Sequence, residues 1–351
     1  MGHREQVSAA LTAFLDERAV DLAPLGDDAA RLLEEVRAGV DGGKRFRALF
    51  CAWGYRAVEP EPIDPQALAR AGAALEMLHA SALVHDDLMD GSDTRRGRPA
   101  THRGFEARHR AEGWPGDTSR AEQYGAAAAI LAGDLMLSWS DQLLRTCGLP
   151  WERVGPALAV FDDCRTEVVA GQFLDVSVQA RGRADVDTAM TVLRYKSAKY
   201  SVERPLHVGA ALAGAGPAVL DALTAFGLPV GEAFQLRDDL LGVYGDPAVT
   251  GKPAGDDLVE GKRTVLVALA LEHAPAADAA VLDAALGTPL SVAEVARLRE
   301  IVTASGAQAR VESLIEDLTA RAMDALAQAP VSDVAREALR DLAVAATQRT
   351  V

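Results

Sequence analysis

Apolar residues recur three and four apart along most of this chain, the spacing that predicts amphipathic helices. Val7, Leu11, Phe14 and Leu15 mark one helix over residues 4–20, and a second follows over 27–39. Gly42 and Gly43 break the pattern, Phe46, Leu49, Phe50 and Trp53 resume it to about Val58, and the Pro-rich Glu59–Pro65 reads as a connector. A longer helix is predicted from about 65 to 90, then an arginine-rich loop and a Gly/Pro turn at 113–116. Long Ala/Leu/Val helices over 120–147, 151–180 and 185–213 read as mostly buried, and another spans Pro217 to about Tyr244. Residues 245–264 read as a loop punctuated by Pro247, Gly251, Pro253, Gly255 and Gly261. Ser291 and Glu294 form a capping box that opens a helix to about Ala304, and 307–328 and 332–347 complete the series. No stretch alternates strongly enough to read as a strand. With no internal repeat and no linker that forces a boundary, the pattern predicts one all-α domain over residues 1–351.

Composition agrees, with 49% hydrophobic residues but only 5% aromatic ones, a balance that favours helix over strand. The net charge of −15 argues against a nucleic-acid partner, because gripping a phosphate backbone takes a basic field. No apolar run is long enough for a membrane span, and no charged start leads into one, so neither a span nor a signal peptide is expected. Cys51, Cys147 and Cys164 are an odd set in apolar or mixed helical contexts, which suits small core residues and a reducing, cytoplasmic location.

The chemistry concentrates at the end of the helix over 65–90. Asp86 and Asp90 are four apart and share a face, with His79 two turns earlier on the same helix and Leu83, Leu88 and Met89 around them. A like-charge pair costs a bare helix about 0.2–0.5 kcal/mol. A hard cation such as Mg²⁺, usually held by one or two carboxylates plus substrate phosphates, offsets that cost. Arg95, Arg96 and Arg98 follow in a Gly/Pro loop, where guanidinium forks can grip phosphate oxygens. The arrangement returns later: Asp238 and Asp239 lie on an apolar helix, with Lys252, Lys262 and Arg263 in the loop beyond. One Asp-Asp pair is as compatible with a solvated face, but two helix-then-basic-loop units suggest a two-sided metal clamp on a diphosphate. Lys44 and Arg47 at a helix start, where backbone N–H groups favour anions, and Lys196 beside Ser197 add further cations.

Taken in order, GGKRFR (42–47), HASALVHDDLMD (79–90) with RRGRP (95–99), GQFLD (171–175), YKSAKY (195–200), FQLRDD (234–239) and GKPAGDDLVEGK (251–262) carry a resemblance. The chain resembles the trans-isoprenyl diphosphate synthases, the polyprenyl synthetase family, most of all bacterial geranylgeranyl diphosphate synthases. That resemblance implies antiparallel helices around a central cavity, a homodimer and three Mg²⁺ per active site. It implies condensation of isopentenyl diphosphate with an allylic diphosphate. By position, Asp86, Asp90 and Asp238 would bind metal, with Asp87 and Asp239 acting through water or a neighbouring ligand. Arg95, Lys196, Ser197, Gln235, Lys252 and Lys262 would serve the allylic diphosphate, and Lys44, Arg47, His79 and Arg96 isopentenyl diphosphate. One departure stands out: Gly242 occupies the fifth place of the second acidic motif, where many members carry a third aspartate.

Product length is also addressed by the resemblance. A large aromatic at the fourth or fifth residue before the first motif closes the family's pocket at C15, and here those residues are Ala82 and Ser81. The floor then falls lower, at Leu78, Met77 or Leu75, giving a C20 product, with C15 or C25 and longer as alternatives. On this reading Ser81→Phe shortens the product. Three rival readings draw on the same residues. A di-iron bundle would use the Glu-x-x-His pairs Glu76/His79 and Glu106/His109; a terpene cyclase would need a different second metal motif, which is missing; a regulatory subunit would be free to lose its acidic clusters, yet both are present.

Overall fold

The start of the central helix is set by Asp64, whose carboxylate accepts from the backbone N–H groups of Gln66 and Ala67, while Pro65 takes the first helical position. In the computed structural model, which describes residues 2–245 and 255–348, this helix, α4, runs Pro65–Met89. Small residues let its neighbours approach closely, and Ala71, Ala73 and Ala74 are fully buried. Against it pack α1 (His3–Leu22), α2 (Asp27–Val40), α3 (Phe46–Val58) and α6 (Thr118–Arg145), with α5 (Thr101–Ala111) lying on α6. Together with α7 (Trp151–Arg181) these helices enclose one apolar core around Leu75, Met77, Met136 and Phe161.

A second core, around Leu236, Leu240 and Ile315, joins α10 (Pro217–Tyr244) to α12 (Val265–His273), α14 (Val292–Ala304) and α15 (Ala307–Gln328). A third, around Phe50, Leu206 and Phe226, joins α3 and α9 (Arg204–Leu212) to α10, α15 and α16 (Asp333–Thr347). Because α10 contributes to both and α3 to the first and third, the three cores are cross-linked through these two helices. Among the described residues no helix is long and apolar enough to cross a membrane.

Three local features depart from the sequence expectation. The predicted helix over 185–213 is interrupted: α8 (Val186–Leu193) leads into a π-helical segment, Arg194–Glu203, before α9. That wider segment is seated between two glycines. A Cβ on Gly171 of α7 would lie 2.4 Å from the Lys196 nitrogen, and one on Gly231 of α10 would lie 2.5 Å from the Ala198 oxygen. Second, α12 and α13 (Ala276–Ala285) were not resolved by periodicity; Val265 to Ala270 are all buried, so α12 shows no polar stripe to reveal its period. Third, Thr94–Arg95 pairs with Arg98–Pro99 as a minimal hairpin, too short for an alternation signal, and a single helical turn, α11 (Asp256–Val259), sits in the loop predicted beyond α10. Arg96 and Gly97 both adopt positive φ, 52° and 73°, as a tight two-residue hairpin turn requires.

Candidate active site

The C-terminal end of α4 brings acid and base together. Asp86 Oδ1 lies 3.1 Å from Lys196 Nζ and accepts from Gln172 Nε2 at 3.0 Å. Lys196 in turn donates to Asp175 Oδ2 at 2.6 Å. Burial alone raises the Asp86 pKa, but the charges of Lys196 and Lys262 overcome it and hold the carboxyl at about 2. Asp90 goes the other way: burial, reinforced by the Asp86 charge, raises it to about 6. Its Oδ2 is buried without a hydrogen-bond partner, with the Lys262 ammonium 3.5 Å away. Asp87 turns aside to a different task. Its carboxylate is gripped by both Nε, at 2.8 Å, and Nη2 of Arg95, which presets that guanidinium in its loop.

Lys262 links this end of α4 to the loop beyond α10, because it contacts Asp257 at 3.4 Å and Glu260 as well as Asp90. Ser92, just past α4, adds a hydrogen bond of 2.9 Å to Glu260. On α10 itself Asp238 is exposed, whereas Asp239 is buried, accepts from Gln235 Nε2 at 2.9 Å and is raised by burial to about 8. Gly242 acquires a structural meaning here. A Cβ at that position would meet the Asp257 carboxylate at 1.9 Å, so Asp257, from α11, fills the space that a third motif aspartate would need. Lys252 lies outside the described residues.

Two turns back along α4, around His79, is a basic group. Arg47 Nη2 donates to Ser201 Oγ at 2.8 Å, and its guanidinium carbon lies 4.2 Å from the centre of the Tyr200 ring. His79 Nδ1 is 2.5 Å from the Tyr200 hydroxyl. Burial, followed by the charges of Arg47, Arg96, Arg95 and Arg45, holds the His79 pKa well below its usual range, so the ring is neutral. Arg96 donates to the Asp41 carbonyl at 3.0 Å, and Lys44 is exposed at the rim. Ser197 is half-buried on the π-helical segment, next to Lys196. Tyr200, Arg45, Gln172, Asp175 and Asp257 were not assigned roles from the sequence. All five lie within the quoted motifs, Arg45 in GGKRFR, Gln172 and Asp175 in GQFLD, Tyr200 in YKSAKY and Asp257 in GKPAGDDLVEGK.

Residues 30–303 match the sequence profile described as polyprenyl synthetase. The chain belongs to the polyprenyl synthetase family. It is 33% identical over 258 residues to the (2E,6E)-farnesyl diphosphate synthase of Mycobacterium tuberculosis, covering 72% of this chain and 66%, just under two thirds, of that relative's length. It is 32% identical over 275 residues to the geranylfarnesyl diphosphate synthase of Aeropyrum pernix, covering 78% and 79%. Among solved structures, the geranylgeranyl pyrophosphate synthase of Corynebacterium glutamicum, complexed with isoprenyl diphosphate and magnesium, superimposes with a TM-score of 0.96 at 41% identity, over 99% of both chains.

The residues of the rival di-iron motifs are engaged in other contacts. Glu76 accepts from the Ala48 N–H and lies 3.8 Å from Arg45, and Glu106 is held by Arg103 and Arg110, so neither Glu-x-x-His pair is arranged for iron. Along α4, Leu75, Met77 and Leu78 are buried in the first core and Ala82 is half-buried. Ser81 is also buried, and its hydroxyl donates to the Gly133 carbonyl of α6.

Proposed function

We propose that this polyprenyl synthetase is a Mg²⁺-dependent prenyltransferase that joins isopentenyl diphosphate head-to-tail to an allylic diphosphate, with C20 geranylgeranyl diphosphate as its main product. The observation that carries the reading is the pairing of Lys196 and Lys262 with the Asp86/Asp90 end of α4, together with the arginines gathered around His79 on the same helix. The orphaned Asp90 oxygen and the like-charged Asp86 beside it fit a cation. Asp86, Asp90 and Asp238 would hold the metal, with three ions as the working number. Held there, Mg²⁺ would neutralise diphosphate charge and so favour its departure as a leaving group.

The chain's own groups do the rest. Lys196, Lys252, Lys262, Arg95 and Gln235 bind the allylic diphosphate and stabilise the negative charge that grows on it as the C–O bond breaks. Lys44, Arg47, His79 and Arg96 anchor isopentenyl diphosphate so that its double bond faces the allylic carbon, with Ser197 close to the nascent cation. The new C–C bond forms, and the departing diphosphate takes the proton that is lost, so no histidine serves as base. Apolar helix walls keep water from the cation. Ala82, small and half-buried on α4, supports a product longer than C15. A homodimer in the cytoplasm belongs to this reading; exposed Ile130 and Leu131 on α6 with Val169 and Phe173 on α7 offer an apolar face for a second copy.

The test is to incubate the purified protein with isopentenyl diphosphate and each allylic primer, with Mg²⁺ and with chelator, and to size the products. C20 product formed only with Mg²⁺ is the expected result. No product from any primer would overturn the enzymatic reading and favour a regulatory subunit.

A further inference from the structure

The π-helical segment delivers a tyrosine to the basic group around His79, and nothing in the acidic chemistry accounts for it. Tyr200 is 6% exposed. Its hydroxyl reaches His79 Nδ1 at 2.5 Å, the two rings lie 6.0 Å apart, and its face carries the Arg47 guanidinium at 4.2 Å. Arg47 also donates to Ser201, the next residue of the same segment. One side chain therefore contacts two of the four residues assigned to isopentenyl diphosphate.

A neutral imidazole has one N–H donor and one lone-pair acceptor, and its tautomer is decided by the partner of either nitrogen. His79 is neutral because burial and the arginines around it disfavour its charged form. A neutral ring assists an anion only through an N–H; with the proton on Nδ1 its remaining lone pair would face the phosphate and repel it. A phenol can settle the choice if it keeps its own proton, and burial pushes Tyr200 up to about 12, so it does.

We propose that Tyr200 is a positioning residue of the isopentenyl diphosphate site: its hydroxyl donates to His79 Nδ1, which fixes the proton on Nε2 as the phosphate donor, while its ring face orients Arg47. This rests on the substrate assignment above and adds to it a residue that touches no substrate. The π-helical segment has a function in this account, because its wider turn brings Tyr200 onto the inner face together with Lys196.

Two measurements separate this proposal from the reading beneath it. In protein labelled with ¹⁵N-histidine, with His79→Gln used to assign the signal, long-range ¹H–¹⁵N spectra should show His79 in the Nε2–H form in the wild type and a tautomer mixture in Tyr200→Phe. In kinetics, Tyr200→Phe should raise the KM for isopentenyl diphosphate about tenfold with kcat within about twofold and the allylic KM unchanged. Tyr200→Leu, which also removes the ring under Arg47, should raise it further. An unchanged tautomer in Tyr200→Phe overturns the proposal even if the enzyme uses isopentenyl diphosphate as assigned. A changed tautomer with an unchanged KM overturns the positioning role. A protein that makes no product at all condemns the substrate reading instead, while the spectra still decide the tautomer. Matching melting curves for wild type and Tyr200→Phe establish that the fold is intact.

Discussion

The Ser81 hydroxyl donates to the Gly133 carbonyl oxygen of α6 at 2.8 Å. The fifth residue before Asp86 is thus committed to a helix–helix contact, and this changes what substitution there does. Ser81→Phe has to wedge α4 from α6, an overpacking that costs about 1–3 kcal/mol, so its first effect is a lowered melting temperature. Ala82, half-buried one residue along, is the better probe of product length. Ala82→Phe should shift the main product from C20 to C15 with the fold retained, and Leu78→Ala should lengthen it. An active Ala82→Phe enzyme with an unchanged product would show that the chain grows elsewhere.

Asp86→Ala, Asp90→Ala and Asp238→Ala should each lower turnover by at least about 10²-fold, the scale of removing one preorganised electrostatic partner. Circular dichroism should show helix content preserved. Near-normal turnover of any of the three, or of the wild type in excess chelator, contradicts the metal assignment.

The two diphosphate sites should respond separately. Lys44→Ala and Arg47→Ala should chiefly raise the KM for isopentenyl diphosphate. Lys196→Ala, which strips the contacts to Asp86 and Asp175, should lower kcat and impair the allylic substrate. The reverse pattern would mean that the sites have been exchanged, though the family assignment would stand.

Supplying the aspartate that the second motif lacks should do harm. A side chain at Gly242 meets the Asp257 carboxylate at 1.9 Å, and in Gly242→Asp two like charges compete for that space. The variant should melt lower by about 1–3 kcal/mol of stability, and Asp257→Gly in the same chain should restore most of the loss. A Gly242→Asp protein more stable than wild type would refute this packing.

All three cysteines are buried and free. Burial raises each thiol, Cys164 to about 12, from an unperturbed 9.0. Native protein should therefore resist alkylation at pH 8 and react only on unfolding. Above pH 9 the unfolded chain ionises its thiols and the folded one does not, so the unfolded state binds fewer protons there. Stability from this source falls as pH rises past 9, and melting measured across that range checks the sign.

The sequence by itself determined the helices that carry a polar and an apolar stripe, because their period is written in residue spacing: α15 spans 307–328 as predicted, and α14 opens on the Ser291 capping box. It also determined the acidic clusters, since carboxylates four apart on an apolar helix need a reason to be there. Three things were decided only by tertiary structure. The π-helical segment depends on Gly171 and Gly231, which are distant in sequence and permit close backbone approach only once α7 and α10 have packed against it. The pairing of Asp87 with Arg95, and of Asp90 with Lys262, requires loops whose course no local pattern encodes. The opposite pKa shifts of Asp86 and Asp90, two carboxylates of the same type on one helix face, follow from burial and from which cations lie beside each, quantities that exist only in the folded chain.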